Sequence, residues 1–152
     1  MPTASARLAE LGIELPPVEP PVAAYLPAVR TGSLVYTSGQ LPTVNRELPV
    51  AGKVGDQVSA QDAARYARTC ALNALAAIDA LVGIDSVVRV VKVLGFVASA
   101  PGFTDQPSVI NGASELLVEV FGEAGQHARS AVGVAELPIN APVEVELIVE
   151  VA

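Results

Sequence analysis

The sequence predicts an α+β fold in which one sheet is covered on one face by two helices. Three observations carry this. Two segments repeat apolar residues every three or four positions, and each is closed by a glycine. A β-branched run between them reads as a central strand. The segment Val143–Val151 alternates valine or leucine with glutamate in period two, the pattern of a strand with one buried face. At 152 residues the chain is expected to be a single domain over 1–152, with an N-terminal arm over about 1–24.

Each element has its own signal. Ala4 to Leu11 forms a short helix stopped near Gly12, and a proline-rich passage from Pro16 to Pro27 completes the arm. Ala28–Arg30 and Leu34–Ser38 flank Thr31-Gly32-Ser33, which makes a β-hairpin ending at Gly39. The passage from Gln40 to Val58 is rich in prolines and glycines, with a short strand expected near Leu48–Val50. Ser59 caps the first long helix through Asp62, and Ala64, Ala67, Ala71, Leu75, Ile78 and Val82 follow at helical spacing up to Gly83. Val87–Val97 is too hydrophobic for a sheet edge and reads as a central strand. Pro107 suits the first turn of a second helix, whose stripe runs through Val109, Ile110, Ala113, Leu116, Leu117, Val120 and Phe121 to Gly122. Ala128–Val134 and Val143–Val151 complete the sheet.

Composition narrows the function. Charged residues make up 16% of the chain against 51% apolar types, too few to coat a monomer, so self-association is expected. A net charge of −7, with no cluster of Lys or Arg, opposes the surface that nucleic acids require. The lone Cys70 has no disulfide partner and reads as a buried, inert thiol in its helix. Arg7 and Glu10 fall where a signal peptide needs an apolar run, so the cytoplasm is the expected compartment. Arg89 and Lys92 interrupt the most apolar stretch, Ser86–Ala100, which is too short to span a bilayer. With one histidine and one cysteine no Cys/His zinc site can be built, and no acidic cluster has the spacing of a calcium loop. Nucleotide loops and the nucleophile-elbow motif are missing as well, so neither metal nor cofactor is expected.

The C-terminal block His127-Ala128-Arg129-Ser130-Ala131-Val132-Gly133-Val134-Ala135-Glu136-Leu137-Pro138, followed by Val143-Glu144-Val145-Glu146, resembles the signature of the Rid family, the YjgF-like reactive intermediate deaminases also known as endoribonuclease L-PSP. Tyr25 with Ala28-Val29, and Gly32-Ser33-Leu34-Val35-Tyr36-Thr37-Ser38-Gly39-Gln40-Leu41-Pro42, resembles the opening hairpin of that family. The likeness covers most of Tyr25 to Ala152. It implies a chorismate-mutase-like fold, a homotrimer with a barrel-like core, and clefts between subunits. It also implies a cofactor-free hydrolysis of enamine or imine intermediates to 2-oxo acids and ammonia.

Carried over residue by residue, the resemblance assigns Arg129 to bind the carboxylate of a small ligand, Glu144 to activate water, and Tyr25 to line the pocket. Backbone groups near Gly39 and Ala131 are expected to assist. The residue types suit the work: a guanidinium offers a planar fork to a carboxylate, and a carboxylate of adjusted pKa serves as general acid–base. Each has a structural rival. Arg129 is placed to pair with Glu144 or Glu146 on a neighbouring strand, Glu144 to sit on a solvated or interface strand face, and Tyr25 to pack the arm. His127, beside Arg129, reads as a loop or interface residue. This chain departs from the family pattern at Ala131, where many active members carry cysteine, and at Leu26-Pro27 after Tyr25, where Ser-Gln is usual. The alternative to a deaminase is therefore a non-catalytic binder of small carboxylates or a metabolic regulator. Endoribonuclease activity is a third reading, opposed by the charge.

Overall fold

The computed structural model describes residues 2–18 and 23–152, so part of the expected arm (residues 1 and 19–22) lies outside the described residues. In chain order the elements are α1 (Ala4–Glu10), β1 (Ala28–Thr31), β2 (Leu34–Thr37), α2 (Ala60–Val82), β3 (Val87–Ala98), α3 (Gln106–Phe121), β4 (Ala128–Val134) and β5 (Val143–Val151). The predicted N-cap of α2 forms as expected: the Asp62 amide donates to the Ser59 hydroxyl at 3.1 Å. Gly122 ends α3 with a φ of 63°, a conformation that costs glycine little and other residues more.

The five strands lie in the order β1-β2-β5-β3-β4. β3 is flanked on both sides, as its largely apolar, β-branched character predicts. It runs antiparallel to β5 and parallel to β4, with α3 as the crossover. Val143, Val145, Leu147, Val149 and Val151 of β5 and Val90, Val93 and Val97 of β3 are buried toward the helices. Small side chains on α2, among them Ala63, Ala67, Ala71 and Ala74, let α3 approach closely. At the crossing a Cβ on Gly112 would run into the Ala64 carbonyl, with the carbonyl carbon at 2.7 Å, so glycine is needed there.

Across the sheet the register sets Val132, Phe96 and Glu144 in one row, and Ser130, Leu94 and Glu146 in the next. These residues alternate away from the helix-covered core. Val29, Tyr36 and Val132 remain 49%, 40% and 45% exposed, leaving apolar side chains on the sheet face away from the helices.

One expected element does not form. No strand occupies Leu48–Val50; the local pairing is instead a tight turn in which Val44 faces Glu47. Pro49 explains this, because it brings no N–H to a ladder. The arm packs as a short helix whose Ser5 amide and hydroxyl donate to Asp85 at 2.8 and 2.6 Å, and whose Arg7 donates to the Glu119 carbonyl at 2.8 Å. Those bonds to Ser5 hold the Asp85 carboxyl below its ordinary range. No described helix is long and apolar enough to cross a membrane.

Candidate functional site

Where β2 ends, the sheet opens into a cleft of about 530 Å³. Ser38 organises one wall. Its amide donates to Pro27 O at 2.8 Å and its hydroxyl to Leu26 O at 2.6 Å, which fixes the segment carrying Tyr25 against the hairpin. Gln40 then exchanges backbone hydrogen bonds with Val145 at 2.8 and 3.0 Å, and the side chain of the adjoining Glu144 reaches over to Gly39. The second wall comes from α2, where the Asn73 amide donates to Leu41 O and Thr43 O at 3.0 Å each and ties down the loop beyond β2. Pro138 and Ile139, from the segment between β4 and β5, close the mouth.

Tyr25, Gly39 and Glu144, three of the residues singled out from the sequence, therefore line one cleft. Gly39 is there by necessity. A Cβ at this position would meet the Glu144 carboxylate, with Cδ at 2.9 Å and Cγ at 3.3 Å, so the carboxylate rests directly on the Gly39 backbone. Burial raises the Glu144 pKa above its usual value, and the neighbouring Glu146 charge raises it further. A half-buried carboxylate of raised pKa holds its proton more readily than an exposed one, as a general acid–base group requires.

Arg129 and Ala131 lie elsewhere. They pair with Val93 and Gly95 of β3, and Arg129 turns to the helix side, where Nη1 donates to Asn111 Oδ1 at 2.8 Å and Ser114 Oγ at 3.2 Å. Nη2 reaches Pro107 O only at 3.4 Å. The rival arrangement, an ion pair of Arg129 with Glu144 or Glu146, does not occur. β3 stands between β4 and β5, a separation of about 10 Å across the sheet, and the side chains leave on opposite faces. Among the described residues Arg129 forms no salt bridge. Its Nε–Nη2 edge is the one left for a planar anion.

His127 lies in the loop before β4, as expected, and joins this arrangement from there. Its Nδ1 is 2.6 Å from Gly125 O, and a carbonyl only accepts, so Nδ1 carries the proton. In the neutral ring Nε2 then accepts from Ser114 Oγ at 2.9 Å, which leaves the Ser114 oxygen to accept from Arg129. A chain of donors thus fixes the guanidinium.

Arg46, Gln40, Asn73 and Ile139 also line the cleft and were not singled out from the sequence. Asn73 did leave a signal, an amide inside an otherwise apolar helical stripe. Backbone strain gathers at the same place. Among the described residues the non-glycine positions of positive φ are Asn45, Arg46, Ile139 and Asn140, in the two loops that border the cleft. Among the described residues no three metal-binding side chains converge.

Comparison with known proteins follows the same outline. The family model described as Endoribonuclease L-PSP matches residues 17–151. Protein TCP17 of Trypanosoma cruzi is 44% identical over 148 residues, 96% of this chain and 92% of its own length. A 2-iminobutanoate/2-iminopropanoate deaminase of Dermatophagoides farinae is 34% identical over 138 residues, covering 90% of this chain and 93% of that protein. The crystal structure of the protein Atu1372 from Agrobacterium tumefaciens superposes with a TM-score of 0.90 at 46% identity, over 98% of this chain and 92% of that one.

Proposed function

The chain belongs to the endoribonuclease L-PSP family, and from that premise we propose that it hydrolyses small 2-imino acids to 2-oxo acids and ammonia in clefts completed between the subunits of a homotrimer. The observation that carries this reading is the division of the functional groups. A carboxylate of raised pKa, a glycine backbone and a tyrosine share one cleft, while the carboxylate-binding guanidinium stands preorganised and unpaired on the far edge strand. A neighbouring subunit bringing its β4 edge to the cleft supplies what one chain lacks.

The chemistry then needs little. Arg129 of one subunit holds the substrate carboxylate through its Nε–Nη2 edge, which fixes the imine carbon over the Glu144 of the next. Glu144 takes a proton from water as the oxygen attacks that carbon and gives it to nitrogen as the C=N π bond opens; it then takes the hydroxyl proton and passes it to the amino group as the C–N bond breaks and the carbonyl forms. The sum is imino acid plus water to 2-oxo acid plus ammonia, with the acid–base step worth about 10²-fold or more. Orientation by the charge-assisted pair adds roughly 1.5–3 kcal/mol per bond.

One feature favours a second reading. Ala131 offers no polar side chain beside Arg129, which suits a non-catalytic binder of small carboxylates. Release of ammonia and 2-oxo acid from imines made in situ by an amino-acid oxidase separates the two. Acceleration that falls more than about tenfold in Arg129→Ala supports the hydrolase; no acceleration by a well-folded trimer that still binds 2-oxo acids leaves the binder. RNA cleavage fits neither the net charge of −7 nor the lack of a basic cluster.

A further inference from the structure

The cleft contains a cation that the proposed hydrolysis leaves unused. Arg46 lines it together with Tyr25, Gly39 and Glu144, and Arg46 and Glu144 are the charged members of the lining. Among the described residues Arg46 has no salt-bridge partner. Arg30, Arg89, Lys92 and Arg129 share that lack, and what sets Arg46 apart is its place in the lining of the cleft beside Glu144.

The backbone reinforces the point. Val44 and Glu47 exchange hydrogen bonds at 2.9 and 3.0 Å across a two-residue turn, and its central residues Asn45 and Arg46 have φ of 52° and 67°. Two positive φ values define a type I′ turn, which favours Asn-Gly. Asparagine suits the first position. Arginine at the second sits in a left-handed conformation that glycine would adopt without strain. The turn has thus kept a long cationic side chain where its own geometry asks for none, and the explanation lies in what that side chain reaches.

We infer that Arg46 is a distal anion subsite, and that the cleft selects 2-imino and 2-oxo acids carrying a second carboxylate: one end is held by Arg129 of the adjoining subunit, the other by Arg46. This rests on the reading of the cleft given above. It also answers an electrostatic problem. A ligand with two negative charges entering beside Glu144 meets repulsion, and a second guanidinium offsets it and discriminates against ligands lacking the distal charge.

Calorimetry with 2-oxobutyrate and 2-oxoglutarate tests the inference on the wild type, Arg46→Gly and Arg46→Lys. Arg46→Gly supplies the Asn-Gly pair that the turn prefers, so it removes the cation while leaving the melting temperature equal or a few degrees higher. The wild type is expected to bind 2-oxoglutarate at least tenfold more tightly than 2-oxobutyrate. Arg46→Gly brings the two within about twofold by losing affinity for the dianion alone, and Arg46→Lys keeps part of the preference. Equal wild-type affinities, or a preference that survives in Arg46→Gly, overturn the distal subsite and leave the proposed hydrolysis standing. If neither ligand binds the wild type, the subsite and the carboxylate cleft fall together.

Discussion

Gly39→Ala separates the chemistry of the cleft from the fold. The added Cβ would lie 2.9 Å from Glu144 Cδ, where ordinary contact begins at 3.4 Å, so the carboxylate must withdraw from its seat. The fold resists this little. What moves is the end of a flexible side chain, and the backbone at Gly39 lies outside the left-handed region, so alanine fits its conformation. The stability change is therefore expected within about 1 kcal/mol. Catalysis is more sensitive, because a displacement on the order of 1 Å in a reacting group costs about 10²-fold, or roughly 2.7 kcal/mol of activation free energy. The variant should thus lose kcat by one to two orders of magnitude in the oxidase-coupled imine assay while its thermal melt stays within a few degrees of wild type. Gly112→Ala is the contrasting control: its Cβ meets the backbone carbonyl of Ala64, which cannot swing away, so it should lose about 1–3 kcal/mol of stability and leave the folded fraction's kcat intact. Full activity in Gly39→Ala would refute a catalytic role for a carboxylate seated on that backbone.

Further expectations come from the charges. Because burial and then Glu146 raise the Glu144 pKa, the acid limb of kcat/KM should lie above the ordinary glutamate value of about 4.3, and Glu146→Gln should move it down. The sign for stability is the reverse of the usual carboxylate case. The folded state holds this proton more tightly than the unfolded chain, so stability declines as pH rises from about 4.3 through the raised folded value, and Glu144→Gln abolishes that slope in urea titrations. Asn111→Ala or Ser114→Ala releases the Arg129 guanidinium and should raise KM about tenfold with kcat nearly unchanged, whereas a merely structural role would lower the melting temperature without moving KM. The Cys70 thiol, pushed up first by burial and then by the Glu144 charge, should resist a thiol reagent at pH 8 in the native protein and react fully in guanidinium; native labelling would contradict its buried place in α2.

Much of the fold is legible because its signals are local. The Ser59 cap, the glycines that end α2 and α3, and the strict alternation of β5 each follow from a few consecutive residues. Leu48–Val50 misleads for the same reason: its apolar ends suggest a strand, while Pro49 between them removes the N–H a ladder needs. The rival contact of Arg129 with Glu144 fails at longer range. Strands consecutive in sequence are often neighbours, but here β3 takes β4 on one side and β5 on the other, so the residues that a family pattern groups together stand apart in one chain. Tyr25, Gly39 and Glu144 do converge, and Arg129 does not join them. Arg46 has no period to announce it, being an exposed turn residue whose meaning emerges only from the turn's φ values and the cleft beneath.

That separation leads to a test of assembly and mechanism together. If each cleft takes Arg129 from one subunit and Glu144 from the next, the groups meet across a head-to-tail interface, the kind that closes into a ring. On that reading Arg129→Ala and Glu144→Gln homotrimers are each expected to lose at least about tenfold in activity. Denatured together in equal amounts and refolded, they assort at random, and a cleft is intact whenever its Arg129 comes from a Glu144→Gln chain and its Glu144 from an Arg129→Ala chain. Each condition holds half the time, so the mixture should recover about a quarter of wild-type activity, while either variant refolded alone keeps only its own residual activity. A site formed within one chain behaves differently, because every chain then carries one defect and mixing restores nothing. A mixture of native-sized, inactive trimers would therefore refute the shared cleft.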